Sequence, residues 1–85
     1  MRLYKVTITK YEWEYDESHE TQEEKYFLLK DNAKRAFEVF KEAIRNEYDG
    51  ANVTDNEKFF NMEFGGSYGY TNGASVTLVE IETED

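Results

Sequence analysis

Hydrophobic side chains recur every three or four residues along one stretch of the chain, Asp31–Gly50, and this spacing predicts a helix. The residues on the predicted apolar face are Ala33, Ala36, Phe37, Phe40, Ala43, Ile44 and Tyr48. The predicted polar face consists of Lys34, Arg35, Glu38, Lys41, Glu42 and Arg45. We expect Asp31 or Asn32 to cap the first turn and Gly50 to end the last one. Because one apolar stripe cannot stabilise a lone helix in water, this helix is expected to pack on a sheet.

Alternation of apolar and polar residues predicts two strands before the helix. The first strand begins with Tyr4–Thr9, where the apolar residues take every second position. Beyond Thr9 the apolar positions change parity to Tyr11, Trp13 and Tyr15, which predicts a bulge or a strong twist near Thr9–Tyr11. The polar segment Asp16–Thr21 is expected to turn back into a second strand, Gln22–Lys30. That strand is apolar on both faces, as is typical of a well-covered strand.

The segment after the helix predicts a connector and a hairpin. Ala51–Glu57 is polar and is expected to connect the helix to the next strand. Asn72-Gly73 is a strong signal for a two-residue turn, followed by a returning strand at Ala74–Glu82. This register places Phe64, Val79 and Ile81 on the core face with Phe60 and Met62. It leaves an uncovered tip that carries Tyr68, Tyr70, Val76 and Leu78. The alternative is a shorter hairpin with a loop at Gly65–Gly73.

The order of the elements predicts one α+β domain over residues 1–85. In this ββαββ arrangement the helix packs on a four-stranded mixed sheet, with the first and last strands side by side in its middle. The arrangement resembles the β-grasp fold of the immunoglobulin-binding domain of protein G in its opening Tyr4–Thr9, its helix core Ala36–Ala43 and its Asp49-Gly50 exit. The resemblance implies the fold but not a shared function. An antiparallel sheet with a different strand order is the alternative.

The charge distribution limits the partners of this domain. The chain has 19 acidic and 10 basic residues, a formal net charge of −9. Between Glu12 and Glu24 it has no lysine or arginine but seven carboxylates: Glu12, Glu14, Asp16, Glu17, Glu20, Glu23 and Glu24. Such a surface repels nucleic acid and anionic membranes and attracts basic surfaces, so we expect neither a membrane nor a direct nucleic-acid partner. The alternative is that the acidity only confers solubility.

The sequence contains no recognisable catalytic or cofactor motif. There is no cysteine, and the N-terminus lacks the continuous apolar segment of a signal peptide, so a cytoplasmic protein is expected. His19 lies among Asp16, Glu17 and Glu20, which could together hold zinc or manganese. Acidic turns of this kind normally stay solvated, so we expect no metal. The glycines of Gly65–Gly69 precede a hairpin rather than a helix and do not indicate a phosphate site. We therefore expect neither an enzyme nor a cofactor.

The remaining hypothesis is protein binding. Tyr11, Trp13 and Tyr15 alternate with Glu12 and Glu14, which predicts aromatic anchors beside carboxylates. The alternative is that these rings complete the hydrophobic core. Strand residues on one face repeat at about 6.8 Å, close to the step between phosphates in an extended nucleic-acid backbone.

In size, acidity and lack of cysteine, the chain resembles the small phage-encoded anti-CRISPR and anti-restriction proteins that act as DNA mimics. This resemblance implies an inhibitor that occupies the basic nucleic-acid-binding surface of a host defence protein. The expected partner-binding residues are Glu12, Trp13, Glu14, Tyr15, Asp16, Glu17, Glu20, Glu23, Glu24, Tyr68 and Tyr70. The alternative is a structural or assembly module that forms a homodimer or another protein contact through a strand edge or the Tyr68/Tyr70 hairpin tip.

Overall fold

One helix packs on one face of a five-stranded antiparallel sheet in the computed structural model, which describes residues 1–14, 17–47, 52–67 and 70–83. The elements are β1 (Arg2–Glu14), β2 (Glu17–Phe27), α1 (Lys30–Glu47), β3 (Asn52–Asp55), β4 (Phe59–Ser67) and β5 (Tyr70–Glu82). The strand order is β2-β1-β5-β4-β3, and each neighbouring pair is antiparallel.

The predicted four-stranded mixed sheet of ββαββ order is wrong, because the segment expected to be a connector contains β3. This short strand reverses the chain once more before the last hairpin, so β5 runs antiparallel to β1. The predicted adjacency of the first and last strands is confirmed. A tight turn joins β3 to β4, and in it the side-chain oxygen of Asn56 accepts hydrogen bonds from the backbone N–H groups of Lys58 (3.0 Å) and Phe59 (2.9 Å).

The hydrophobic core lies between α1 and the helix-side faces of β1, β4 and β5. Its buried members are Val6, Ala33, Phe37, Ile44, Phe60, Met62, Ala74, Val76 and Leu78. Tyr4 and Ile8 are partly buried against this cluster, so the alternating face predicted for the first strand is confirmed. Burial of apolar surface in this one cluster is the main force that holds the helix on the sheet.

The helix differs from its predicted limits and from its predicted faces. It begins at Lys30, and the N–H of Ala33 donates to the carbonyl of Leu29 at 3.2 Å. Asp31 and Asn32, which we expected as caps, therefore lie inside the first turn. Ala43 is exposed, whereas Lys41, expected on the polar face, is only 6% exposed. The predicted contributions of Tyr48 and Gly50 lie outside the described residues.

The predicted register of the last hairpin is also wrong. Asn72 and Gly73 lie inside β5 rather than in a turn, and the register of β4 shifts by one residue between Glu63 and Gly66. Because successive strand residues point to opposite faces, this change moves one set of side chains to the other side of the sheet. Val76 is fully buried in the core, whereas Val79 is 44% exposed on the opposite face. The prediction that Val76 and Leu78 belong to an uncovered tip is therefore wrong. The alternative prediction of a loop at Gly65–Gly73 is wrong too, because β4 extends to Ser67 and β5 begins at Tyr70.

The first hairpin has no bulge near Thr9–Tyr11. Its register is continuous from Tyr4 opposite Phe27 to Glu14 opposite Glu17, so the segment predicted as a turn, Asp16–Thr21, is largely part of β2. Tyr11 stays on the face away from α1, where its ring lies against Gly73 and would have to move to admit a side chain there.

The second strand is not the covered strand that its apolar residues predicted. β2 is an edge strand, and every residue from Glu17 to Tyr26 is exposed. Leu28 and Leu29 follow the end of β2 and are exposed as well. The helix lies mainly over the middle of the sheet, so the outer strand receives little cover from it.

An ion-pair cluster ties the edge strand β3 to the helix. Asp55 accepts a hydrogen bond from Lys41 at 2.9 Å and pairs with Arg45, one helical turn further on. The hydrogen bond from Lys41 lowers the pKa of Asp55, and the same bond raises the pKa of Lys41 although burial opposes this rise. Arg45 also lies over the ring of Phe60, 5.2 Å from its centre. Lys41 faces inward although it belongs to the predicted polar face, because its ammonium pairs with Asp55.

We expect Asp55→Asn to lower the free energy of unfolding by about 2 kcal/mol near pH 7, because it leaves a buried ammonium poorly paired. A carboxyl whose pKa is lower in the folded state stabilises the fold above its unfolded pKa near 4, and this stabilisation is lost as the pH falls through the folded pKa. The difference between the two proteins should therefore shrink below about pH 4. Urea titrations between pH 2 and 7 measure it. The exposed Glu38→Gln, which also removes a contact to Lys41, is the control and should change stability by less than about 0.5 kcal/mol. Equal effects of the two substitutions would contradict the assigned role of Asp55.

Candidate functional site

The acidic segment of the first hairpin and Tyr70, both predicted from the sequence to bind a partner, lie at the same end of the sheet. β1 and β5 pair only as far as Tyr11 and Gly73, whereas β1 and β2 stay paired for three more residue pairs, to Glu14 and Glu17. Because β1 and β5 are antiparallel neighbours, the start of β5 at Tyr70 lies toward the same end. We call residues 12–14 of β1 and 17–24 of β2 the acidic ribbon.

The part of the acidic ribbon that contains Glu12 and Glu17 lies beyond the end of the helix, whereas Glu23 lies beside it. Glu47, the last residue of α1, pairs with Lys10 of β1 at 3.4 Å, and Glu12 is two residues further along the strand. An 18-residue helix is about 27 Å long and a 13-residue strand is about 44 Å long, so the helix cannot cover the whole of β1. The chain measures 48 × 24 × 16 Å, an elongated shape for its size. The far part of the first hairpin is therefore held by strand pairing with little help from the core.

The carboxylates of the ribbon are exposed and few of them are paired. Glu12, Glu17, Glu20, Glu23 and Glu24 are all exposed. Two of the five have contacts: Glu23 lies 3.8 Å from Lys25, and Glu24 accepts a hydrogen bond from Tyr26 at 2.9 Å. This hydrogen bond raises the pKa of Tyr26. Within the described part of the chain the other three carboxylates have no ion pair.

Strand register distributes these acids over both faces of the ribbon. Glu12, Glu14, Glu17 and Glu23 occupy the positions that share a face with α1, and Glu20 and Glu24 occupy the opposite face. On β2 the acids of one face are separated by polar residues, so the continuous 6.8 Å repeat expected from the sequence is absent there. Acidic positions are closest to one another at the end of the ribbon, where Glu14 is the register partner of Glu17. Glu12 is two residues before Glu14 on the same strand.

The aromatic anchors are only partly located. Trp13 is the register partner of Ser18, and Tyr70 is the register partner of Ser67. Tyr15, Asp16 and Tyr68 lie outside the described residues, so the structure leaves their predicted roles as predictions. Tyr11, which the sequence placed in the same aromatic series, is partly buried, and its hydroxyl lies 3.5 Å from the side-chain oxygen of Asn61.

Sequence patterns missed the face of the sheet opposite α1. Its middle row crosses all five strands with small polar side chains: Thr54, Asn61, Ser75, Thr9 and Gln22. Nearer the chain termini the same face has exposed apolar residues, among them Tyr26, Phe59 and Val79. The sequence did not predict these exposed apolar residues as one surface, because the register predicted for the last hairpin assigned Val79 to the core.

The sequence also failed to show a groove between α1 and β2. The groove is lined by Ile8, Lys10, Glu23, Phe40, Ala43, Ile44 and Glu47 and encloses about 190 Å³. A second cavity of about 200 Å³ shares Ile8, Lys10 and Glu23 with it and is also lined by Thr21 and Gln22 of β2. The groove exists because the helix lies over the central strands and leaves the inner side of the edge strand uncovered.

The candidate metal cluster around His19 includes Asp16, which lies outside the described residues. Among the residues that the structure describes, no three histidine or acidic side chains lie close enough together to hold a metal ion. His19 is exposed on β2 opposite Glu12.

The fold defines a small α+β protein with one helix on an antiparallel sheet. Comparison with protein-family models, with curated proteins and with solved structures finds no significant match to the chain. In the described ranges, no helix is both long and apolar enough to cross a membrane.

Proposed function

We propose that the protein is a non-enzymatic, cytoplasmic binding protein whose acidic ribbon occupies the basic nucleic-acid-binding surface of another protein. In this proposal it acts as an inhibitor in the manner of the phage DNA mimics that it resembles, with a host defence protein as its target. The observation that carries the proposal is the exposure of five carboxylates on a hairpin that extends beyond the end of the helix.

The distribution of charge supports an electrostatic contact. Glu12, Glu17 and Glu20 lack ion-pair partners in the described part of the chain, so a cationic surface would not have to break existing pairs to meet them. Carboxylates on both faces of a narrow ribbon can contact the two walls of a basic groove at once. Lysine and arginine side chains that otherwise neutralise phosphates would supply these walls.

The size of the exposed surface also supports binding. The chain exposes 6027 Å², whereas a compact monomer of its 10.1 kDa mass exposes about 5,300 Å². The excess is close to the roughly 800 Å² that each partner buries in a standard protein interface.

Salt-graded capture tests the proposal. The immobilised protein is incubated with a bacterial lysate treated with nuclease, and bound proteins are eluted with rising salt. We expect a basic nucleic-acid-binding protein to elute at moderate salt, because screening weakens contacts between exposed charges. Added duplex DNA should release the same protein at low salt. A captured partner that resists both salt and DNA would contradict the proposal.

A second candidate function is self-assembly through the free edge of β2. The observation that favours it is the exposure of this 11-residue edge strand, whose outer side has no neighbouring strand among the described residues. Exposed edges pair readily with other strands. Carboxylates along β2 would repel their copies in a second chain, so this association should strengthen with salt. Light scattering at low and high salt separates the two candidates, because dimerisation that rises with salt favours assembly.

A further inference from the structure

The groove between α1 and β2 has an apolar floor, and acidic residues of the ribbon lie next to it. Phe40 and Ile8 are partly buried, and Ile44 closes the inner end of the floor. Ala43 is exposed at the helix side of the groove, and its methyl group leaves the space open. A volume of about 190 Å³ is enough for one large aliphatic or aromatic side chain.

Charge complementarity identifies the kind of segment that fits. Glu23 stands directly opposite Ile8 on the neighbouring strand, and Glu47 lies at the end of the helix. Lys10 of the lining pairs with Glu47, and the ammonium of Lys25, which lies beside Glu23, is 5.5 Å from the centre of the Phe40 ring. The helix-side positions beyond the groove include the acidic residues Glu12 and Glu17, with the uncharged Thr21 and His19 between Glu23 and Glu17. A segment that leaves the groove along this face therefore meets carboxylates and no lysine or arginine before the end of the ribbon.

We propose that this groove receives a single aliphatic or aromatic side chain from a basic segment of the partner, whose flanking lysines or arginines contact Glu23 and the helix-side acids of the ribbon. This inference rests on the proposed function, and it adds a position of apolar specificity to an otherwise electrostatic contact. Apolar anchors in pockets supply much of the energy of protein interfaces, whereas exposed ion pairs supply little. The groove would thus select among basic surfaces that the ribbon alone attracts equally.

Two peptides that differ at one residue test the proposal. Both are amidated nine-residue peptides of alternating lysine and serine, and one of them has leucine in place of the central serine. Titration into the isotope-labelled protein is followed by NMR at low salt. We expect the leucine peptide to bind about tenfold more tightly, with the largest shifts at the amides of Ile8, Ala43 and Ile44.

Substitution at Ala43 provides the matched controls. Ala43→Trp fills the groove from an exposed helical position and should abolish the tenfold advantage of the leucine peptide, while binding of the serine peptide stays within twofold. Ala43→Met should reduce the advantage in part, and Ala43→Ser should preserve it. Thermal unfolding verifies that each variant is folded. Equal affinities of the two peptides for the unsubstituted protein would overturn the proposal, as would an undiminished advantage in folded Ala43→Trp.

The proposed function fails by a different result. If Glu17→Lys/Glu20→Lys binds the serine peptide as tightly as the unsubstituted protein does, the ribbon does not attract basic segments. The role of the groove is still tested separately, by the ratio of the affinities of the two peptides for the unsubstituted protein. Conversely, if both peptides bind with equal affinity and this binding weakens with salt, the proposed function of the ribbon stands and the proposed role of the groove is wrong.

Discussion

Val76→Glu is expected to unfold the protein at neutral pH, whereas Val79→Glu, three residues along the same strand, should lower its stability by less than about 1 kcal/mol. Val76 is fully buried in the core between α1 and the sheet, where a carboxylate would find no partner. Val79 is on the opposite face with 44% of its surface exposed, and its register partner is Lys5, which could pair with a new carboxylate. The two substitutions are chemically identical, so their difference reports the face of each residue.

Circular dichroism and urea titration of the two variants provide the measurement. For a domain of this size the loss expected at Val76 exceeds the several kcal/mol of stability that a small protein normally has. If the turn were at Asn72-Gly73, as the sequence pattern suggests, the result would be reversed and Val79→Glu would be the damaging change. A stable Val76→Glu variant would therefore contradict the observed register.

Charge reversal on the ribbon is expected to have the largest effect on binding. Glu17→Lys/Glu20→Lys replaces one exposed carboxylate on each face of β2 and should weaken capture of a basic partner by about 100-fold at low salt. Each reversal both removes an attraction and adds a repulsion, so the two changes together are worth about 2 to 3 kcal/mol. Because both side chains are exposed, the stability of the fold should hardly change.

The matched control is Glu42→Lys/Glu57→Lys, which changes the net charge by the same amount at exposed positions outside β1 and β2. We expect this variant to lose less than about fivefold in affinity, because only the long-range attraction falls. Surface plasmon resonance with the captured partner compares the three proteins. Equal losses in the two variants would mean that net charge alone, rather than the ribbon, determines binding.

The helix and the first strand could be predicted because their patterns repeat over many residues. Phe37 and Ile44 recur at helical spacing, and Tyr4, Val6 and Ile8 alternate, and the structure places all five toward one core. Lys41 is the exception, since its burial depends on Asp55 of a strand that the sequence did not predict. A single residue at a tertiary ion pair leaves no periodic signal.

The sheet was mispredicted for two local reasons. β3 has four residues and a polar sequence, so no alternation distinguished it from a connector, yet it reverses the direction of the last hairpin. Asn72-Gly73 has the residues of a tight turn but lies inside β5, where Tyr11 occupies the space beside Gly73. A side chain at this position would displace the Tyr11 ring, so a close side-chain contact rather than a turn accounts for the glycine.

The candidate site was predicted as a charge pattern but not as a surface. The run of acids from Glu12 to Glu24 was visible in the sequence, and Glu12, Glu17, Glu20, Glu23 and Glu24 are exposed. Their division between two faces depends on β2 beginning at Glu17 rather than Gln22, which the polar sequence of this segment concealed. The groove beside Ala43 depends on where the helix crosses the sheet, and sequence periodicity contains no information on that placement.

Competition between the protein and duplex DNA for the captured partner tests the central claim most directly. With a labelled duplex bound to the partner, we expect the unsubstituted protein to displace the DNA completely, and the apparent Kd of the protein to rise in proportion to the concentration of added DNA. Glu17→Lys/Glu20→Lys should fail to displace it at the same concentrations. A ternary complex that contains the protein, the partner and the duplex together would contradict the account.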